Sequence, residues 1–190
     1  MARAKAKGKT KAGGRAKSGA QDAIALLKSD HRQVEDWFEQ FEKARTDDRK
    51  LDLATKICNA LTVHATIEEE IFYPAFLEAT EDKDLHHEAE IEHDAAKKLI
   101  AEIEASSPDD DYYDSKVKVL SEMIKHHVKE EEQPGGMFAE ARKSDMDLDA
   151  LGEQMAARKE ELESLGPDVP PGARQGKNGI LGRMANAMTR

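Results

Sequence analysis

The sequence predicts an all-α protein, an up-down-up-down four-helix bundle with an extra C-terminal helix and disordered tails. Apolar residues recur three and four positions apart through four long segments, as they do on the inner faces of amphipathic helices. Charged residues make up 36% of the 190 residues and aromatic residues only 5%. Glycine and proline are sparse in the middle of the chain. This composition suits helices with solvated outer faces, and no strand is expected.

The first two helices are predicted over about residues 21–44 and 49–72. The three-four spacing places His31 on the apolar stripe of the first helix and His64 and Glu68 on that of the second. An unpaired buried carboxylate costs several kcal/mol. Glu68 therefore needs a metal ion, another cation or solvent in a cavity as its partner.

The third helix is predicted over about residues 83–105. Pro74, in an aromatic segment before it, is expected to kink or end the second helix. His93 lies nearest the middle of the inner face of the third helix, and His86 lies two turns earlier. The loop at residues 106–111 contains Ser, Pro and Asp and separates this helix from the fourth.

The fourth helix, at about residues 112–133, offers two rows that both contain a histidine and a glutamate. The row that includes His127 and Glu131 is the more apolar, so these two residues are expected to face the core. His126 and Glu130 are expected to flank them. A Pro-Gly-Gly segment ends the helix.

The domain organisation follows from these elements. We expect a disordered basic arm at residues 1–20, the four-helix bundle at 21–138, a helical extension at 139–166 and a flexible tail at 167–190. The extension is expected to contain a further amphipathic helix over about residues 148–165.

The basic arm is attached to an acidic body. Residues 1–20 contain seven Lys or Arg and no acidic residue, so the net charge of −10 leaves −17 for residues 21–190. Such arms attract phosphate backbones through counterion release, which makes non-specific nucleic-acid contact through residues 1–20 one interpretation. A solubilising tail, or one that folds back on the acidic body, is the other. No base-reading motif accompanies the arm, so sequence-specific DNA recognition is not expected.

The single cysteine and the lack of long apolar runs bear on the compartment. Cys58 lies in an apolar helical pattern, which favours a buried structural thiol over a nucleophile. No disulfide framework can form, which fits a reducing cytoplasm. No apolar run approaches the roughly 20 residues of a membrane span, and the N-terminus lacks the apolar core of a secretory signal. We expect a cytoplasmic protein with no membrane contact.

The inner faces of the four helices together present four histidines and two carboxylates. In a four-helix bundle, side chains from one layer of all four helices can meet at the centre. Six ligands exceed what one structural zinc takes. Mixed imidazole and carboxylate ligands suit iron or manganese, and two carboxylates can bridge a pair of ions whose open positions accept O2, NO or peroxide. The six residues are His31, His64, Glu68, His93, His127 and Glu131.

Four segments resemble the hemerythrin-like HHE cation-binding domain, and the similarity covers about residues 22–138. They are Leu27-Lys-Ser-Asp-His31, His64-Ala-Thr-Ile-Glu68, Glu90-Ile-Glu-His93 and His127-Val-Lys-Glu-Glu131. The resemblance implies a four-helix bundle with a non-haem centre of two iron ions, bridged by an oxo or hydroxo group and held by the six residues named above. Manganese is the alternative metal.

One position departs from the pattern of oxygen-carrying hemerythrins, which have a paired H-x-x-x-H on the third helix. Here Ala89 stands four residues before His93. His86, Glu90 or a water is available to fill the gap, and His126, on the fourth helix, is a further candidate ligand. The departure favours peroxide or NO chemistry, or sensing, over protected storage of O2.

The leading hypothesis is a di-iron protein that binds or senses O2, NO or iron in the handling of oxidative or nitrosative stress. One alternative is an enzyme that scavenges hydrogen peroxide in the manner of a catalase or peroxidase. The other is a DNA-associated, iron-binding protective protein tethered by the basic arm. Tyr73 and Tyr113 are candidates for modulating the centre, although an ordinary packing role is favoured for both. The spacing leaves the metal identity and the oligomeric state open.

Overall fold

The computed structural model of the protein describes residues 21–165. Within that range the chain forms seven α-helices and one π-helical turn, with no strand. The predicted all-α helical bundle is therefore confirmed. The predicted basic arm at residues 1–20 and the predicted tail at 167–190 lie outside the described residues. The helices are α1 (Ala23–Lys43), α2 (Asp47–Ile67), α3 (Tyr73–Thr80), α4 (Lys83–Glu104), α5 (Tyr113–Glu132), α6 (Met137–Lys143) and α7 (Leu148–Ser164), and the π-helical turn Glu68–Phe72 joins α2 to α3.

Side-chain caps set where several helices begin. The Asp22 carboxylate accepts from the backbone N–H of Ala25 at 2.7 Å and starts α1. Thr46 caps α2, so the helix begins at Asp47 and not near Arg49 as the spacing predicts. The two aspartates after Thr46 form the first turn of α2, where carboxylates are stabilised by the positive end of the helix dipole.

The helical chain does not end at Pro74 but continues to Thr80. Proline has no N–H to donate, and its ring clashes with the carbonyl of residue i−4 in a regular helix. The π-helical turn immediately before it absorbs this conflict: Tyr73 N–H donates to the carbonyl of Glu68, five residues back. The irregularity expected at the proline is thus a widened turn, and that turn carries Glu68.

Two apolar clusters lie on either side of a polar layer. One contains the first residues of α1 together with Phe72, Phe76, Phe138 and Met155. The other contains the later residues of α1, the first half of α2 and the first half of α5. The polar layer between them is therefore sealed from water at both ends of the bundle.

Cys58 belongs to the second cluster and is buried. Burial raises the pKa of its thiol to about 12, with the negative charge of Glu104 adding to the effect. A thiol that remains protonated and enclosed is inert as a nucleophile. The structure thus supports the structural role predicted for it. Among the helices of residues 21–165, none has the length and apolar character needed to cross a membrane.

The C-terminal helix α7 packs across α1, α2 and the π-helical turn. Met155 and Leu162 bury their side chains in this contact. Gly152 permits the close approach, because a Cβ atom at this position would lie 2.4 Å from the backbone oxygen of Gln21. The helix therefore docks on the start of α1 through backbone contact as well as side chains.

Gly152→Ala is expected to destabilise the fold by roughly 1–3 kcal/mol, because α7 must move away from α1 to make room for the methyl group. Urea unfolding followed by circular dichroism measures the change. Gln154→Ala is the matched control, since Gln154 is exposed on the same helix. An unchanged unfolding midpoint in Gly152→Ala would show that α7 does not dock as described.

Candidate metal centre

The six predicted ligands come together in one buried layer. Each is at most 6% exposed to solvent. The layer draws one histidine from each of α1, α2, α4 and α5, one glutamate from the π-helical turn and one from α5. These side chains are His31, His64, Glu68, His93, His127 and Glu131.

The four imidazoles form two pairs. In the first histidine pair, the Nε2 atoms of His31 and His64 are 3.1 Å apart. In the second histidine pair, the Nε2 atoms of His93 and His127 are 3.3 Å apart. Each pair joins two helices that are adjacent around the bundle. Two groups of imidazole nitrogens thus lie side by side in the layer.

Both buried carboxylates lie between the two pairs. Glu68 Oε2 is 3.2 Å from His64 Nε2 and 3.4 Å from His93 Nε2. Glu131 Oε2 is 3.4 Å from His31 Nε2, and its Oε1 is 3.7 Å from the Nε2 of the remaining second-pair histidine. Each glutamate therefore contacts one histidine of each pair, which is the arrangement of a carboxylate shared by two ions.

The other nitrogen of every imidazole, Nδ1, faces a further carboxylate. We call Asp30, Glu69, Glu92 and Glu132 the outer carboxylates. The distances are 2.8 Å from His31 to Glu132, 3.5 Å from His64 to Asp30, 2.9 Å from His93 to Glu69 and 2.7 Å from His127 to Glu92. At His31, His93 and His127 the carboxylate accepts the Nδ1 proton. At His64 the negative charge of Asp30 favours a proton on the same atom, so each Nε2 lone pair is directed at the centre of the layer.

The outer carboxylates connect the four helices in a closed circle. Each is the sequence neighbour of one of the six inward side chains, yet it contacts a histidine on a different helix. Asp30 on α1 contacts α2, Glu69 in the π-helical turn contacts α4, Glu92 on α4 contacts α5, and Glu132 on α5 contacts α1. Sequence reasoning did not identify this role for them. The signal that was available is an acidic residue directly beside four of the six ligands.

A basic side chain stands behind each outer carboxylate. Lys97 Nζ is 2.7 Å from Glu69 Oε2, and Lys159 contacts Asp30. Lys28 and Arg32 both contact Glu132, and His126 is 3.5 Å from Glu92. Lys28, Arg32, Lys97 and Lys159 carry positive charge beside three of the outer carboxylates, so the charge of these three carboxylates is balanced locally.

The pKa values in the layer show its demand for positive charge. Burial, together with the charge of His64, lowers the pKa of His31 to about 4. Burial also acts to lower the pKa values of His64 and His93, but the neighbouring carboxylates raise both above the ordinary value. Burial and the charge of Glu68 raise the pKa of Glu131 well above its usual range. The same positions that take protons are those a metal cation would occupy.

Several buried polar atoms of the layer have no hydrogen-bond partner. Among residues 21–165 these include Glu68 Oε1, Glu131 Oε2 and His64 Nδ1. The 3.5 Å between His64 Nδ1 and Asp30 is an ion-pair distance and too long for a strong hydrogen bond. Buried carboxylate oxygens without donors are rare in proteins and indicate a missing partner. A divalent cation suits the imidazole and carboxylate donors that surround it.

Tyr73 belongs to the layer, contrary to the packing role that the sequence favours. Its hydroxyl is 3.2 Å from His93 Nε2, 3.5 Å from Glu68 Oε2 and 3.4 Å from Glu131 Oε1. Burial and the nearby carboxylates raise the pKa of Tyr73 well above its usual value, so the phenol keeps its proton. Tyr113, by contrast, is buried in the second apolar cluster.

The π-helical turn explains why sequence spacing missed Tyr73. In a regular α-helix a residue five positions after Glu68 points about 140° away from it. The wider turn reduces this angle and brings the phenol over the carboxylate.

The three further candidates, His86, Glu90 and His126, do not join the layer. His86 Nδ1 faces Glu90 at 3.7 Å, and its position two turns before His93 places it about 10 Å along α4. His126 is 61% exposed and contacts Glu130 on the surface, because adjacent helical residues point about 100° apart.

A small apolar cavity adjoins the four imidazoles. Its volume is about 30 Å³. Aliphatic side chains make up most of its wall, among them Val34, Leu61, Ala96 and Ile100, and Asp30 and Lys97 also line it. A space of this size holds a ligand of about two heavy atoms.

The sequence and the fold resemble those of known proteins. The family model for the hemerythrin HHE cation binding domain matches residues 22–134. A hemerythrin HHE cation binding domain-containing protein from Mycobacterium kansasii has the same fold, with a TM-score of 0.63 and 23% identity over 90% of this chain and 99% of that chain. A DNA nickase from Nostoc sp. is 27% identical over 120 residues, which are 62% of this chain and 32% of that protein. The chain thus spans about a third of the length of this curated relative.

Proposed function

Because the chain belongs to the hemerythrin HHE cation-binding family, we propose that its buried layer holds two iron ions, one at each histidine pair. Glu68 and Glu131 would be shared between the ions. The supporting observation is the direction of the imidazoles, whose Nδ1 atoms all face carboxylates. Four Nε2 lone pairs then converge with two carboxylates in a dry layer, an arrangement that cations stabilise. Manganese is the alternative metal, since it accepts the same ligands.

The small ligand of this centre is proposed to be O2, NO or hydrogen peroxide. Bound iron would supply redox chemistry and an open coordination position. The residues of the chain would supply the remaining selectivity: the apolar cavity of about 30 Å³ limits the size of a molecule that can lie against the four imidazoles. Tyr73 holds a proton on its hydroxyl within 3.5 Å of both buried carboxylates. The protein would act as a sensor or binder of these molecules in oxidative or nitrosative stress.

Anaerobic loading with Fe²⁺ followed by elemental analysis tests the metal proposal. The expected result is two ions per chain, with one remaining in His64→Ala and one in His127→Ala. A folded wild-type chain that takes up no iron and no manganese would refute it. Adding NO or hydrogen peroxide to the loaded protein then separates the functions, because stoichiometric binding indicates a sensor whereas repeated turnover of peroxide indicates a scavenging enzyme.

Leu61→Ala is expected to widen the range of ligands that react. The substitution enlarges the cavity, so the rate with tert-butyl hydroperoxide should rise roughly tenfold relative to that with hydrogen peroxide. Stopped-flow absorbance measures both rates. Leu53→Ala is the matched control, because Leu53 is buried in the same cluster but does not line the cavity. If the ratio of the two peroxide rates is the same in Leu61→Ala and Leu53→Ala, the ligand neither passes through this cavity nor binds in it.

A DNA-associated role is the second proposal, supported by the relative named a DNA nickase and by the seven basic residues in 1–20. Residues 21–165 contain 18 Lys or Arg and 38 Asp or Glu, a net charge of −20, so the bundle itself repels DNA. Salt-dependent retention of the full chain on duplex DNA, lost on deletion of residues 1–20, is expected. Retention that survives the deletion would contradict the tether. The single, buried Cys58 supports a cytoplasmic setting for either role.

A further inference from the structure

The helix α7 lies beyond the residues that the family model matches, yet it contacts the surroundings of the proposed centre. Lys159 contacts Asp30 Oδ1, and the other oxygen of Asp30 faces Nδ1 of His64 at 3.5 Å. A chain of three side chains therefore runs from α7 to an imidazole of the first histidine pair. Lys159 is the only residue from outside the four bundle helices among the basic contacts that we describe for the outer carboxylates.

A second contact joins α7 to the π-helical turn. Arg158 donates to Glu70 through two nitrogens, Nε to Oε2 at 2.8 Å and Nη2 to Oε1 at 3.3 Å. A two-pronged guanidinium–carboxylate contact fixes direction as well as distance. Glu70 lies two residues after Glu68. The turn that carries a shared carboxylate is thus attached to the same helix.

Apolar packing keeps α7 in this place independently of its charges. Met155 is fully buried, Leu162 is 3% exposed, and Gly152 lies against the start of α1. Lys159 itself is 27% exposed, so its charge can be removed without opening the core. A substitution there changes the support of Asp30 and leaves the docking surface intact.

The second histidine pair has an equivalent support that does not involve α7. Lys97, on α4, contacts Glu69, and Glu69 faces Nδ1 of His93 at 2.9 Å. The outer carboxylate of His31 contacts Lys28 on α1, so the two pairs differ at His64 and His93, in where the lysine behind the outer carboxylate comes from. One lysine belongs to the matched domain and the other to the added helix.

We propose that α7 is a clamp for one half of the centre: Lys159, acting through Asp30, positions His64 and so controls retention of the ion at the first histidine pair. Lys97 does the same for the ion at the second pair. Lys159 is a positioning residue, since it contacts neither ion. The inference rests on the proposed function, because it requires two ions.

Release of iron to a ferrous chelator, followed by absorbance under anaerobic conditions, tests the clamp. Lys159→Met and Lys97→Met should each release one of the two iron equivalents roughly tenfold faster than the wild type. Lys159→Arg, which keeps the cation, should restore slow release. Lys143→Met is the matched control, because Lys143 is 67% exposed on α6 and contacts Glu140 alone among its ion pairs.

The His64→Ala background identifies which ion responds. That chain is expected to hold a single ion at the second pair, so Lys159→Met should not change its release whereas Lys97→Met should accelerate it. Release in Lys159→Met at the rate of Lys143→Met would overturn the clamp, as would equal acceleration of both ions. A wild-type chain that retains no iron would instead refute the proposed function. Thermal unfolding of the metal-free variants measures whether each variant is folded, which all are expected to be.

Discussion

Glu68→Ala is expected to eliminate binding of both ions, whereas any single histidine substitution eliminates only one. The Glu68 carboxylate lies within 3.4 Å of a histidine of each pair and is fully buried between them. Its removal takes a ligand from both positions, and no neighbouring side chain replaces it. We expect the affinity for each ion to fall by roughly two orders of magnitude or more. Elemental analysis after loading and desalting measures the remaining metal.

Glu88→Ala is the control for this substitution, because Glu88 is exposed on α4. The Glu88→Ala variant should retain two ions. Comparison with His64→Ala supplies the discriminating result. If Glu68→Ala keeps one ion as firmly as His64→Ala does, the carboxylate serves a single position and the sharing inferred from its two contacts is incorrect.

The spacing of the sequence predicted that the six candidate ligands face the core, because the direction of each of these side chains is set within one helix. A three-four stripe places His31 or His93 inward whatever the neighbouring helix does. The two rows of α5 illustrate this: the more apolar row contains His127, which is 4% exposed, and the less apolar row contains His126, which lies on the surface.

The supports of the layer could not be predicted in the same way, since they depend on how helices meet. Asp30 and Glu92 lie beside the stripe, and only the packing of adjacent helices decides which histidine each one contacts. Tyr73 required the altered register of the π-helical turn. The contacts of Lys159 depend on where α7 docks. The amphipathic pattern predicts that α7 is a helix but does not indicate which surface it packs against.

Iron loading is expected to stabilise the fold, and by more at about pH 8 than at about pH 6.5. At free iron 100-fold above the dissociation constant, each ion contributes about 2.7 kcal/mol. The pKa values of His64 and His93 are raised in the folded chain. Protonation of these two histidines therefore adds to the free energy of unfolding of the metal-free protein. This contribution is fully present below their unfolded pKa of about 6.5 and is lost as the pH rises through their pKa in the folded chain. The loaded protein has no protons at these positions to lose.

Urea unfolding of metal-free and iron-loaded protein at the two pH values measures this difference. The pKa of His31 is lowered to about 4, so this residue reduces the free energy of unfolding mainly below about pH 6.5. It has little effect on the difference between about pH 6.5 and about pH 8. The lowered pKa of Glu68 likewise acts at acid pH. His64→Gln should flatten part of the decline of the metal-free protein. A metal-free fold that instead gains stability between about pH 6.5 and 8 would mean that its histidines carry no extra protons, and the layer would not be the charge-deficient site that two cations need.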